Sequence, residues 1–346
     1  MTRTALLTTL AVLASVVAAW LLTSVVRNHA VTRAILDLPN DRSLHVTPTP
    51  RGGGLAIVIV VLAFLLLAGT IGLVQWNVAI GIGGGGAAVA LIGWLDDISS
   101  IPALRRLLVH FVAAIWAMVW LGGFRFASFG SQQIDLGLGG SLIAVVGIVW
   151  ATNLFNFMDG SDGIVAVEVI SIGAIGGSLL LTMGNPGLGT LALVLAGAAL
   201  GFAWWNWAPA RVFLGDVGSG FVGFVVATLA VASENAHALP VAAWAVLSCA
   251  FLIDATLTLL RRLRIGHWKE PHRTHAYQVA IQGGWSHRAV ATWVASVNVV
   301  LGILATLAVF GVLPLGLSLG AALAACSALY ALVLNRYSMS AVSRAE

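Results

Sequence analysis

Charge is what this 346-residue chain has least of. Asp, Glu, Lys and Arg make up 9% of it, against about 25% in an ordinary soluble domain. So few charges cannot cover the surface of a water-soluble fold of this length. With 60% apolar residues, a disordered chain is excluded as well. Lysine is nearly absent: Lys269 stands alone among 17 cationic residues. The positive charge is therefore carried by guanidiniums, whose planar fork suits bidentate phosphate contacts. In a chain this apolar, the net charge of +4 fits loop orientation and lipid headgroups, and no nucleic-acid partner is expected. The two cysteines, Cys249 and Cys326, fall in apolar runs and imply neither a disulfide framework nor a zinc site. Alternation of apolar and polar residues at every second position is also lacking, which disfavours a transmembrane barrel.

What the chain has is long unbroken apolar runs. A bilayer is crossed by about 17–25 such residues. Candidates lie near 4–26, 55–74, 78–95, 107–122, 141–158, 164–182, 188–205, 219–233, 241–260, 289–310 and 315–334. The first run, Ala5 to Val26, exceeds the usual signal-peptide core of about 7–15 residues and reads as a membrane helix. The expectation is an all-α polytopic membrane protein with about eleven helices, forming one integral-membrane unit over residues 1–346.

Eleven spans place fifteen of the 17 cations on one side and only Arg3 and Arg125 on the other. The positive-inside rule makes the crowded side cytoplasmic, with the N-terminus periplasmic and the C-terminus cytoplasmic. Asp96, Asp97, Asp159, Asp162 and Asp216 then fall on the cytoplasmic face as well, although acids played no part in setting the topology. The expected site is built from loops 27–54, 96–106, 153–163, 206–219 and 261–288.

Five stretches carry chemistry. Asp96-Asp97 closes a span ahead of Arg105 and Arg106; adjacent carboxylates want a cation, and Mg²⁺ typically takes one or two carboxylates plus phosphate oxygens. Asn153, Asn156, Asp159 and Asp162 recur every third residue, a polar stripe on one slowly drifting helix face. Such groups at a span end belong in a bundle interior or a water-filled cavity. Asp216 sits between Gly215 and Val217-Gly218 where a helix would start, beside N–H groups that meet anions. The loop 261–288 is rich in Arg and His; His272 and His275 are suited to hydrogen-bond a pyrophosphate and Arg273 to neutralise one. Finally Arg51-Gly52-Gly53-Gly54 suits a loop whose backbone closes on a phosphate. The run Gly83–Gly86 reads as close helix packing instead.

In this order the five motifs resemble the polyprenyl-phosphate N-acetylhexosamine-1-phosphate transferases, which include the phospho-MurNAc-pentapeptide translocase. The resemblance runs from Pro39 to about Gln278. The wording at Pro39-Asn40-Asp41-Arg42-Ser43, Pro48–Gly54 and His272–Gln278 is most similar to the O-antigen-initiating branch. His272-Arg273-Thr274-His275 departs from the translocase run of three His, which argues against peptide-bearing muramyl substrates.

The resemblance implies a Mg²⁺-dependent UDP-N-acetylhexosamine:undecaprenyl-phosphate N-acetylhexosamine-1-phosphate transferase of the bacterial inner membrane. It would release UMP at the first membrane step of O-antigen or other cell-envelope polysaccharide synthesis, with Mn²⁺ as a substitute ion. It implies catalytic roles for Asp96, Asp97, Asp159, His272 and His275. Substrate contacts would come from Arg51, Asn153, Asn156, Asp162, Arg105 and Arg273, and metal ligation from Asp97 and Asp216. Undecaprenyl phosphate, the UDP-sugar and membrane lipids are the implied partners, and a homodimer is compatible with it. The sugar (GlcNAc, FucNAc or QuiNAc) stays open, as does direct attack against a covalent Asp intermediate. The competing class is a secondary transporter, which would place acids near the membrane midplane and repeat its two halves.

Overall fold

The computed structural model describes residues 3–37, 45, 47–130, 132–266 and 272–342. The Pro39–Ser43 wording, His267 and Lys269 lie outside the described residues. The chain is a helical bundle: α1 (Arg3–Thr32), α2 (Leu55–Thr70), α3 (Trp76–Ile98), α4 (Ala103–Leu121), α5 (Gly137–Phe157), α6 (Ile164–Thr182), α7 (Pro186–Asn206), α8 (Asp216–Asn235), α9 (Val241–Leu247), α10 (Cys249–Arg264), α11 (Ala276–Gln282), α12 (His287–Val309) and α13 (Leu315–Val342). Two small antiparallel ladders join them. One pairs β1 (Leu36–Asp37) with β2 (Thr49–Pro50), the other β3 (Phe126–Phe129) with β4 (Gln132–Asp135).

Among the described residues, nine helices are long and apolar enough to cross a bilayer. The protein is therefore an all-α, multi-pass membrane protein. Each of the eleven apolar runs is helical, with two departures. The second, α2, has only 16 residues, about 24 Å at the usual rise. The run expected at 241–260 is not continuous: the axis turns by 81° between α9 and α10. The backbone at Ser248 sits at φ −94°, ψ 7°. Kinks are usually marked by Pro or Gly, and this one has neither, so hydropathy alone does not locate it.

Burial sorts the helices into centre and rim. The apolar window of α8 is 94% buried and that of α1 17%. Around α8 pack α3 and α5, while α6, α7 and α1 form an adjoining layer. Exposed Leu10, Leu13, Val112, Val119 and Leu332 are the lipid-facing surface of α1, α4 and α13, where apolar exposure costs nothing in hydrocarbon. The glycine run of α3 does pack closely, as expected. A side chain at Gly85 would strike the Phe224 ring, and one at Gly86 the Phe221 ring.

Successive helices reverse, so the starts of α2, α4, α6, α8 and α12 share one end of the bundle with the ends of α3, α5, α7 and α10. Hydrogen bonds among Arg51, Asp97, Arg106, Asp216, Asp162, Ala210 and His287 fix this end. At the opposite end Asn235 Nδ2 donates to Leu121 O and Gly123 O, at 3.0 and 2.8 Å. There Glu234 accepts from the N–H of Ser128 and of Val241, tying the β3–β4 hairpin to α8 and α9.

Candidate active site

Backbone pairing sets the site before any side chain does. The N–H of Phe213 donates to Pro50 O at 2.8 Å, and those of Gly53 and Gly54 donate to Phe213 O and Leu214 O at 2.9 and 2.8 Å. Two of the three glycine amides are thus spent on protein, which corrects the expectation that this loop closes on a phosphate. The glycines serve contact instead. A Cβ at Gly54 would overlap Gly218 Cα, and Gly215, at φ +76°, sits against the Asp97 carboxylate where no Cβ fits.

That contact presents Arg51 to two acids. Its Nε lies 2.8 Å from Asp97 Oδ1 and its Nη2 2.6 Å from Asp216 Oδ1. A second guanidinium closes the other side: Arg106 Nη1 is 2.5 Å from Asp96 Oδ2 and 2.6 Å from Asp216 Oδ2. Asp216, which opens α8, is therefore gripped by an arginine on each oxygen. Asp97 accepts from the N–H of Asp216 at 2.9 Å and of Val217 at 3.1 Å, so it caps α8 from another helix. Asp96 accepts from the Ile101 N–H at 2.6 Å, which folds the α3–α4 turn so that Arg106 returns to it. Burial works against the charge on Arg51, but Asp216 and Asp97 outweigh it and hold the guanidinium above its usual range.

Beside this network lies a cavity of ≈ 350 Å³. Its wall includes Asp37, Arg51, Asn156, Asp159, Asp162, Asp216, Gln278 and His287. Burial pushes the Asp159 carboxyl well above the usual range; Arg51 opposes this and Asp216, Asp97 and Asp162 add to it. Asp162 accepts from the Ala210 N–H at 3.0 Å. His287 Nδ1 lies 3.2 Å from the Asp162 N–H and 3.1 Å from Ser161 Oγ. Asn206 joins the same wall to the α7–α8 segment, accepting from Gly163 N–H and donating to Val212 O.

The histidine motif docks on α10. Asp254 accepts from the N–H groups of Ala276 and Tyr277, at 2.9 and 3.2 Å, and lies 3.2 Å from His275 Nδ1. One buried carboxylate thus caps α11 and orients the His275 ring. Tyr277 Oη donates to Phe157 O at 3.2 Å, which brings the motif against the end of α5. His272 stands 5.1 Å from His275, ring to ring. Burial, with His275 and the arginines of α10 adding to it, lowers His272 to about 4.

Of the residues expected from sequence, Arg51, Asp96, Asp97 and Asp216 meet in one network, and Asn156, Asp159 and Asp162 face the adjoining cavity. The stripe does not stay on a helix: α5 ends at Phe157, and Asp159 and Asp162 project from the turn that follows. Asn153 points elsewhere, 3.3 Å from His110 Nδ1 and donating to Val149 O. Arg105 is exposed and makes no ion pair among the described residues. Arg273 and the histidines His272 and His275 do not line the cavity.

Sequence reasoning placed Arg106, His287 and Gln278 in the motifs without giving them a site role, and did not assign the anchoring role to Asp254. For Arg106 a signal existed: it shares a helical face with His110, Ala113 and Ala117, all buried, whereas Arg105 shares one with Leu108 and Val112, both exposed.

Six carboxylates (Asp37, Asp96, Asp97, Asp159, Asp162, Asp216) face two guanidiniums (Arg51, Arg106) at this end of the bundle. An all-oxygen donor set with surplus negative charge suits a hard divalent cation. Among the described residues no three His, Cys, Asp or Glu side chains could hold an ion by themselves.

The bundle and this site define a polytopic membrane protein with an acid–guanidinium centre beside a polar cavity at one end of its helices. Residues 79–234 match the model of glycosyl transferase family 4, and the chain belongs to that family. It is 31% identical over 293 residues to a decaprenyl-phosphate N-acetylglucosaminephosphotransferase of Mycobacterium leprae, covering 73% of this chain and 71% of the relative. A Bacillus subtilis relative named "Probable undecaprenyl-phosphate N-acetylglucosaminyl 1-phosphate transferase" is 28% identical over 286 residues, 80% of this chain and 78% of that one. A phospho-N-acetylmuramoyl-pentapeptide-transferase of Moorella thermoacetica is 36% identical over 166 residues, 44% of this chain and 52% of the relative.

Proposed function

We propose that the protein transfers an N-acetylhexosamine-1-phosphate from a UDP-sugar to a polyprenyl phosphate, undecaprenyl phosphate in a bacterial inner membrane, and releases UMP. The observation that carries this reading is the junction of Asp216, Arg51 and Arg106 with the cavity faced by Asp159 and Asp162. The activities for which the relatives are named point the same way. The arginine-rich end of the bundle is then the cytoplasmic one, with the N-terminus of α1 at the periplasmic end and the C-terminus of α13 at the cytoplasmic end. The pathway it serves is cell-envelope polysaccharide synthesis of the O-antigen type.

In the reaction, an oxygen of the lipid phosphate attacks the phosphorus that carries the sugar. The bond from that phosphorus to the bridging oxygen breaks, and UMP leaves with the electron pair. Both reactants are anions, so the chain must first offset their repulsion. Arg51 and Arg106 supply fixed positive charge, held by their carboxylate partners against movement. Asp216 and Asp159, both on the cavity wall, would hold a divalent ion such as Mg²⁺, which when bound would supply charge neutralisation for the leaving group.

Asp96 and Asp97, unlike Asp216, do not line the cavity. In this reading they position Arg51, Arg106 and Asp216 rather than touch substrate. Direct attack needs orientation more than activation, and the fixed guanidiniums of Arg51 and Arg106 supply it. His275 is held at the edge by Asp254.

The test is UMP release by purified protein with Mg²⁺, undecaprenyl phosphate and a panel of UDP-N-acetylhexosamines. UMP that appears only when both substrates are present supports the transfer. Nucleotide-sugar uptake into vesicles without UMP would replace it with transport.

A further inference from the structure

Away from the cavity, the same end of the bundle carries an arginine pair that no carboxylate answers among the described residues. The guanidinium carbons of Arg27, near the end of α1, and Arg211, after α7, lie 6.0 and 5.8 Å from the centroid of the Trp205 ring. Arg27 Nε donates to Arg211 O at 3.3 Å. Neither makes an ion pair among the described residues, unlike Arg51 and Arg106. Two like charges beside one ring repel each other and favour a bound anion. A guanidinium pair offers the bidentate donors that a phosphate matches.

The surroundings say which phosphate. Trp205 is fixed, its Nε1 donating to Trp20 O at 3.0 Å with the two rings 6.3 Å apart. Trp20, Trp204 and Trp207 are exposed at 40%, 65% and 41%. Trp204 and Trp207, exposed at the end of α7, mark the headgroup level of a bilayer, and neither arginine lines the cavity, so the pair faces lipid.

We propose that Arg27 and Arg211, astride Trp205, bind the phosphate headgroup of an anionic phospholipid, whose acyl chains lie along α1 and α7. The site is coupled to the cavity by a short stretch of chain. Arg211 N–H donates to Trp205 O at 2.8 Å, and its neighbour Ala210 donates to Asp162. Arg288 Nε donates to Ala208 O at 2.5 Å. A headgroup on the pair therefore holds residues 207–213 against the cavity wall. This inference does not depend on the reaction proposed above.

The test is native mass spectrometry of the detergent-purified protein titrated with phosphatidylglycerol or phosphatidylcholine, with hydrogen exchange of residues 207–213 as the second readout. Wild type should take its first phosphatidylglycerol more tightly than phosphatidylcholine and slow exchange in that segment. Arg27→Gln/Arg211→Gln should weaken the first adduct by about thirtyfold, the worth of two interfacial cations, and abolish the slowing. Arg211→Gln alone should give about half that effect on the logarithmic scale, should the double variant unfold. Arg125→Gln, at the opposite end, should change neither. Equal affinity for the two lipids in wild type, or unaltered phosphatidylglycerol binding in both arginine variants, overturns the proposal. So does displacement of the adduct by soluble glycerol phosphate, which would assign the pair to a free phosphate.

Discussion

The carboxylate of Asp97 accepts the backbone N–H of Asp216 at 2.9 Å, so one acid of the site is the helix cap beneath another. The two Asp residues are 119 positions apart in sequence and belong to α3 and α8. Their contact explains why Gly93 lies one turn before Asp97: a side chain there would strike the Asp216 carbonyl.

Asp97 and Asp216 should therefore fail differently. Asp97→Ala removes an inter-helix cap worth about 1–2 kcal/mol and frees Arg51. It should lower both thermal stability in detergent and turnover. Asp216→Asn keeps the backbone cap and should leave the melting temperature within a few degrees, while turnover falls by about 10²–10³, the usual loss when a fixed charge is removed from a reacting centre. Thermal melts of both variants, run beside UMP release, separate them; equal melting with unequal activity would contradict the capping role.

Arg105 and Arg106 give a sharper contrast between neighbours. Arg106→Ala leaves Asp96 and Asp216 without a shared cation, and removing one partner of a buried pair costs about 3–5 kcal/mol when the other remains. With Arg106 partly open to solvent here, the loss should be smaller but still exceed about tenfold in kcat/KM. Arg105→Ala should stay within about twofold, since exposed side chains without partners change little. Steady-state kinetics on the two variants decides which arginine serves the site.

The helices were legible in sequence because lipid imposes length and apolarity, the two things a sequence displays most openly. The gathering of Asp96, Asp159, Asp162 and Asp216 at one end was legible for a related reason, since span parity fixes which ends meet. What was not legible is orientation within an end. Arg106 rather than Arg105 reaches Asp216 because of helical phase, and α4 starts at Ala103, after a Pro102 turn whose exact length sets that phase. The break at Ser248 leaves no mark in hydropathy, yet the polar end it leads to is where Asp254 receives His275. The role of Asp254 was invisible because its four partners lie on a loop more than 20 residues away, apart from Thr258 one turn on.

His272 carries a pH signature. Burial lowers it to about 4 from an ordinary value near 6.5, with His275, Arg262 and Arg261 adding to the shift and Asp254 opposing it. Between those two values the unfolded chain binds a proton that the native chain does not. Stability contributed by neutral His272 is therefore complete above about pH 6.5 and is lost as pH falls towards 4. Melting temperatures across this window should decline in wild type, and His272→Gln should flatten part of the decline. An identical slope in the variant would show that His272 does not titrate in this way.

The remaining prediction concerns a polar pair sealed inside the bundle. Glu168 in α6 and Asn298 in α12 are 0% and 1% exposed, and Asn298 Nδ2 donates to Glu168 Oε2 at 2.7 Å. The other oxygen of each, Glu168 Oε1 and Asn298 Oδ1, has no partner among the described residues. A transporter would route its ion through acids inside the membrane, but no second acid accompanies this one within α6 or α12. The pair instead pins α12 to α6 below the point where His287 meets Asp162. Glu168→Gln keeps the carbonyl that Asn298 needs and turns the second oxygen into a donor. Interhelical hydrogen bonds of this kind average about 0.6 kcal/mol in membrane proteins, so the variant should melt at or slightly above wild type with turnover retained. Glu168→Leu should melt lower, because it leaves the Asn298 amide without an acceptor. Loss of transferase activity in Glu168→Gln, with the fold intact by melting, would give this acid a chemical role instead of a structural one.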